Sequence, residues 1–303
     1  MERFQDSERV RDGVVRVDGL ELHFREWGDP AAERVVLLHG LMGHSREWDL
    51  VASSLSDRFD VFVPDQRGHG RSSWSDRYDI SRMSSDVEAF AGLLNLTNVA
   101  LVGHSMGGMI GMTCAANRPD LVSHLIALDI TPDSLASEVL RRSLIDWLRF
   151  LAGSTYETPQ EAVQVWLDGD ELAHEPLIRH YVEHALIEDA RGRFAWRFDA
   201  AGLTQLVESG VSSAQLWEVI ERIEVPTLLV RGEFSTVATE SMVATTVNRL
   251  ADARSVEIPG AAHDLGVQQP QRVAEVIGAF LDESKNLALS AGPARSHGHP
   301  VLG

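Results

Sequence analysis

The chain has 303 residues, of which 44% are hydrophobic and 24% charged, an ordinary globular composition with length for a core domain and an insertion. Its formal net charge of −18 argues against nucleic acid, whose affinity comes largely from Lys and Arg at phosphates, and against anionic membrane surfaces. Cys114 is the single cysteine, so no intrachain disulfide can form, and neither a signal-peptide-like apolar segment in the first residues nor a run of ~18 apolar residues is found, so a cytoplasmic location is expected.

Residues 14–27 read as two strands around the turn Asp18-Gly19. Apolar runs follow at residues 35–38, 61–63, 99–102, 125–128, 227–230 and 256–258. They are apolar throughout rather than alternating, the pattern of strands buried on both faces of a parallel sheet. Helical segments separate them, around residues 48–55, 83–94, 106–118, 241–250 and 273–281. This alternation predicts an α/β fold with a mostly parallel central sheet flanked by helices. Ligands in such sheets bind at the carboxyl ends of strands. Polar residues stand there: His39-Gly40, Pro64-Asp65, Gly103-His104-Ser105, Asp129 and Arg231-Gly232.

One interval breaks the rhythm. Between Asp129 and Pro226 no comparable strand signal occurs; helical pieces appear at residues 135–151, 159–167, 175–186 and 213–223. Four of the seven Trp lie here: Trp147, Trp166, Trp196 and Trp217. The expected organisation is a core domain at residues 1–132 and 223–283, a helical cap at 133–222, and a flexible Gly/Pro/Ser-rich tail at 284–303.

The motif Gly103-His104-Ser105-Met106-Gly107 stands directly after an apolar strand and directly before a helix. In that context G-x-S-x-G is a sharp turn that lifts a serine hydroxyl clear of the sheet and aims a helix N-terminus at the same point. Three further stretches also stand at strand ends: His39-Gly40-Leu41-Met42-Gly43, Pro64-Asp65-Gln66-Arg67-Gly68-His69-Gly70-Arg71-Ser72 and Pro259-Gly260-Ala261-Ala262-His263-Asp264. In this order the four resemble the α/β-hydrolase family, over about residues 14–283.

The resemblance implies the α/β-hydrolase fold and particular roles. Ser105 is the nucleophile and His263 the base that takes its proton. The backbone N–H groups of Leu41 and Met106 are the oxyanion donors. His39 is a structural hydrogen-bonder, and His44, His69 and His104 are the competing histidines; His104 should be turned away from the hydroxyl, and His69 shapes its loop. Asp65 and Arg67 hold neighbouring loops through charge-assisted hydrogen bonds.

The acid departs from the family's usual pattern. The stretch Gly232-Glu233-Phe234-Ser235-Thr236-Val237, where an Asp is usual, has none. Asp129, Glu233 and Asp264 remain as candidates, or a Ser-His dyad. Asp129 is preferred, because some branches of the family place the acid at the end of the preceding strand; its alternative role is a helix N-cap. The expected function is hydrolysis of a carboxylic ester or lactone through an acyl-Ser105 intermediate. The substrate is a small molecule, apolar or aromatic. No cofactor or metal is expected, and homodimerisation is left open. Carbon–carbon bond hydrolysis, cofactor-free peroxidase or oxygenase chemistry, and a ligand-binding receptor with residual hydrolysis are the alternatives.

Overall fold

The computed structural model describes residues 10–209 and 212–290. Strands β1 (Arg11–Val17) and β2 (Leu20–Trp27) form an antiparallel hairpin. Asp18 and Gly19 both take positive φ, 49° and 83°, which the two-residue turn requires. Next come β3 (Glu33–Leu38), β4 (Phe59–Pro64), β5 (Val99–His104) and β6 (Val122–Leu128). The short strands β7 (Leu186–Glu188) and β8 (Phe194–Trp196) stand apart, and β9 (Thr227–Gly232) and β10 (Ala253–Ile258) complete the set. The main sheet has eight strands in the order β1-β2-β4-β3-β5-β6-β9-β10, parallel from β4 onward.

The apolar runs have a simple cause. Along β3, Val35 and Leu37 face one buried layer while Val36 and Leu38 face the other. Strand β9 alternates likewise, Leu228 and Val230 against Leu229. The first layer is covered by α1 (Asp49–Leu55) and α11 (Pro270–Ser290), through Val51, Leu55, Ile277 and Phe280. The second is covered by α2 (Ile80–Leu93) and α3 (Met106–Asn117), through Met83, Phe90, Ile110 and Met112. Each such side chain contributes roughly 1.5–3 kcal/mol on burial, so a polar residue on either face of these strands is selected against.

The interval between β6 and β9 adds no strand to the main sheet. It holds α4 (Glu138–Gly153), α5 (Pro159–Gly169), α6 (Glu175–Ala185), α7 (Ala200–Ser209) and α8 (Ser213–Ile220). Two features of it differ from the sequence reading. The hairpin β7–β8 interrupts the helices, turning through Gly192 at φ 77° with Asp189 accepting the N–H groups of Arg191 and Arg193. Strands of three residues are too short to carry a period. Helix α7 also went unread, although Leu203, Leu206 and Val207 have helical spacing.

The C-terminal boundary differs as well. Helix α11 runs on to Ser290, through the start of the segment expected to be a flexible tail from Ser284. No Gly or Pro interrupts the sequence between Pro270 and Ser290 except Gly278. Residues 291–303 lie outside the described residues. Among the described residues, no helix is long and apolar enough to cross a membrane.

Candidate active site

Strand β5 ends at His104 and α3 begins at Met106, so Ser105 alone makes the turn, at φ 53° and ψ −117°. That backbone state costs a non-Gly residue about 1–3 kcal/mol and persists only where its surroundings enforce it. They do so here by contact. A Cβ on Gly103 would lie 2.2 Å from the Gly107 carbonyl oxygen, and one on Gly107 would lie 2.4 Å from that of Leu38. The Ser105 N–H donates to Leu128 O at 3.0 Å, tying the turn to the end of β6.

The residue after that strand end is Asp129, itself at φ 51°, with its N–H donating to Val230 O at 2.7 Å. Its carboxylate is wholly buried. Oδ2 accepts from His263 Nδ1 at 2.7 Å and from Ser235 Oγ at 2.5 Å, and Oδ1 accepts the Gly232 N–H at 3.1 Å. On the other side of the ring, His263 Nε2 lies 3.1 Å from Ser105 Oγ. The structure thus brings Ser105, His263 and Asp129 into one hydrogen-bonded chain. Burial pushes the His263 imidazolium down, but the Asp129 hydrogen bond and the charges of Asp264 and Asp129 outweigh it, and its pKa is raised.

The other acid candidates are elsewhere. Glu233 accepts the Gly260 N–H at 2.9 Å, bracing the loop that precedes His263. Asp264 lines the cavity beside His263 and acts on it through charge. Ser235, at the position where an Asp is usual, is instead a donor to the Asp129 carboxylate.

The competing histidines and His39 are wired into the frame. His104 points back along the site, its Nε2 donating to the His263 carbonyl at 2.8 Å, with the two rings 4.8 Å apart. Burial and the neighbouring His263 lower it to about 4. His39 Nε2 accepts the Gln66 N–H at 2.9 Å, and His44 Nε2 donates to Tyr181 O at 3.0 Å. His69 Nε2 accepts the Met42 N–H at 3.2 Å, which holds Met42 at φ 67° and so shapes the loop bearing Leu41. Burial lowers both His44 and His69 to about 3, leaving them neutral. Asp65 accepts the N–H groups of Ser45 and Arg71, and Arg67 makes two 2.6 Å bonds to Asp86.

Among the described residues, neither the Leu41 nor the Met106 N–H donates to a protein acceptor. Both residues line a cavity of about 290 Å³ that also contains Ser105 and His263. Its far wall comes from the interval between β6 and β9: Leu140, Leu144, Trp147, Trp166, Ile178 and Tyr181. Of the four Trp in that interval, Trp147 and Trp166 line the cavity. Trp196 packs behind Trp166 at 5.9 Å, and Trp217 is covered by Arg249. No Lys or Arg is among the lining residues. Glu47, which the sequence reading did not single out, is there: burial, then the charge of Asp264, pushes its carboxyl well above the usual range. One nitrogen each of His104 and His263 and a carboxylate oxygen of Asp264 lie within 4.8 Å of one another, but both His263 nitrogens already face Asp129 and Ser105.

A family model described as alpha/beta hydrolase fold matches residues 33–270. The chain is 31% identical over 266 residues to the 3-hydroxybutyrate-oligomer hydrolase of Cupriavidus necator, covering 83% of this chain and 89% of that protein. It is 28% identical to the mouse sn-1-specific diacylglycerol lipase ABHD11, covering 84% and 82%. The crystal structure of E-2-(acetamidomethylene)succinate hydrolase superposes with a TM-score of 0.81 at 25% identity, covering 90% of this chain and 99% of that one.

Proposed function

Because the chain belongs to the α/β-hydrolase fold family and its relatives include esterases, lipases and other hydrolases, we propose that it hydrolyses a carboxylic ester or lactone through an acyl enzyme on Ser105. The observation that carries this reading is the continuous chain from Ser105 Oγ through His263 to the buried Asp129 carboxylate, opening on an apolar cavity.

The proton path follows from the bonds. With Nδ1–H donated to Asp129, His263 presents the Nε2 lone pair to the Ser105 hydroxyl. As Oγ attacks the substrate carbonyl, its proton passes to Nε2, and the imidazolium forms against a fixed negative charge. The carbonyl oxygen becomes anionic where the Leu41 and Met106 N–H groups are unspent. Donors of this kind are worth about 10²–10³ in rate each. His263 then protonates the departing alkoxide, and water deacylates Ser105 by the same path in reverse.

The cavity wall narrows the substrate. Apolar side chains and the rings of Trp147, Trp166 and Tyr181 suit an apolar or aromatic acyl or alcohol group. A dicarboxylate such as a succinate would enter a cavity with no lining Lys or Arg and with Asp264 on its wall. A fluorophosphonate probe, followed by peptide mass spectrometry, tests the reading together with a series of p-nitrophenyl esters and simple lactones. The adduct is expected on Ser105, and Ser105→Ala should abolish turnover. An adduct on another serine, or turnover that survives the substitution, overturns it.

A further inference from the structure

A second cavity, about 100 Å³ in volume, lies on the other side of the loop that carries Leu41. Two segments wall both cavities. The loop after β3 gives Leu41 and Met42 to the first, and His44 and Arg46 to the second. Helix α6 gives Ile178 and Tyr181 to the first, and Glu183 and His184 to the second. The wall of the second cavity is completed by Arg71, from the loop after β4, and Arg197, directly after β8.

Its lining sets three arginines, Arg46, Arg71 and Arg197, against two carboxylates, Asp65 and Glu183. Asp65 lines it, but its oxygens are committed: Oδ1 accepts the Ser45 N–H at 2.6 Å, and Oδ2 meets the His23 ring at 2.8 Å and the Arg71 N–H at 3.0 Å. Arg46 shares its charge with Asp49, and Glu183 is exposed to solvent. Among the described residues, the Arg71 guanidinium comes no nearer to a carboxylate than 3.8 Å, at Asp12. Among the described residues, Arg197 forms no ion pair. Its Nη2 makes one long bond, 3.4 Å, to Leu186 O, and its Nε is buried with no acceptor. Burial and the like charge of Arg71 disfavour its cationic form and outweigh the support of Asp65. In a chain of net charge −18, two arginines with planar, forked donor sets stand at one cavity, and the buried Nε of Arg197 has no acceptor.

We propose that this second cavity binds a small oxyanion, a phosphate or carboxylate group, between Arg71 and Arg197. The anion supplies the acceptor that Arg197 lacks and offsets the repulsion between the two guanidiniums. It also ties the loop after β4 to the segment after β8, and so braces the loop and the helix that both cavities share. This site is separate from the Ser105 chemistry and does not depend on it.

Thermal unfolding of the full chain tests the proposal, titrated with inorganic phosphate, acetate or phenyl phosphate while NaCl holds ionic strength constant. At least one of these should raise the midpoint saturably, by several degrees at ligand well above half-saturation. Which anion does so identifies the ligand class. Arg197→Gln and Arg71→Gln should each weaken half-saturation by about tenfold or more, the loss of one charge-assisted pair. Arg71 is more than half exposed, so its variant carries the test if Arg197→Gln folds poorly. Phosphorus NMR line broadening of added phosphate or phenyl phosphate gives a second readout. No saturable shift with any of the three anions, or a shift unchanged in Arg71→Gln, overturns the proposal.

Discussion

Asp129→Asn separates a true acid from a structural carboxylate, and the surrounding bonds say how it acts. Asp129 receives three donors, from His263, Ser235 and Gly232. Asparagine offers one acceptor oxygen and one NH₂ in their place. With the oxygen toward Ser235 and His263, the NH₂ meets the Gly232 N–H, donor against donor, in a wholly buried spot. With the amide turned over, the Gly232 bond is kept and the NH₂ faces His263 Nδ1. The ring must then accept at Nδ1 and carry its proton on Nε2, where it cannot take the Ser105 proton. Either way the imidazolium loses its counter-charge. The expected loss in kcat is on the order of 10⁴, which is about 5.4 kcal/mol at 1.36 kcal/mol per tenfold. The assay is initial rates on a p-nitrophenyl ester, with circular dichroism to check that the fold persists. Glu233→Gln, which only removes a bond to the Gly260 N–H, should cost less than tenfold. If Asp129→Asn stays within tenfold of the parent while Glu233→Gln is crippled, the reasoning is refuted.

Other outcomes follow from the same contacts. Neutral His263 is the active form and its pKa is raised, so kcat/KM should climb with pH along a limb centred above 6.5; Asp264→Asn removes one raising charge and should move that limb to lower pH, and an unmoved limb denies the coupling. Glu47 binds its proton more tightly folded than unfolded, so its contribution to stability is whole below about 4.5 and is lost as pH rises through the raised folded value. Glu47→Gln should therefore flatten the stability-against-pH curve above 4.5 in urea titrations; an unchanged slope contradicts the burial argument. Gly107→Ala places a methyl 2.4 Å from the Leu38 carbonyl oxygen, and should destabilise by about 3 kcal/mol or more or fail to fold, visible as a lowered thermal midpoint.

Features set by neighbouring residues were legible in the linear chain. Strands buried on both faces must be apolar at every position, so the parallel core read directly from residues 35–38, 99–102 and 125–128. The Ser105 turn was equally local, because its glycines, strand and helix are contiguous. That the interval between β6 and β9 adds no strand to the main sheet was legible too, in the absence of such runs, although its short β7–β8 pair was not. What the chain alone left open depends on distance. Asp129 lies 134 residues from His263, and only the folding of β6 beside β9 sets its carboxylate against that ring, with Ser235 as donor where an acid is usual. The contact of His104 with the His263 carbonyl spans 159 residues. Glu47 gave no signal, since an acidic residue in the short turn of helix at Ser45–Trp48 looks solvated until α6 and the segment around Asp264 enclose it. The hairpin β7–β8 is stabilised by pairing across its turn, not by a periodic face, so three-residue strands left no pattern to read. Local geometry is encoded by adjacent residues and survives in the sequence; a hydrogen bond between distant side chains exists only once the sheet has brought their strands together.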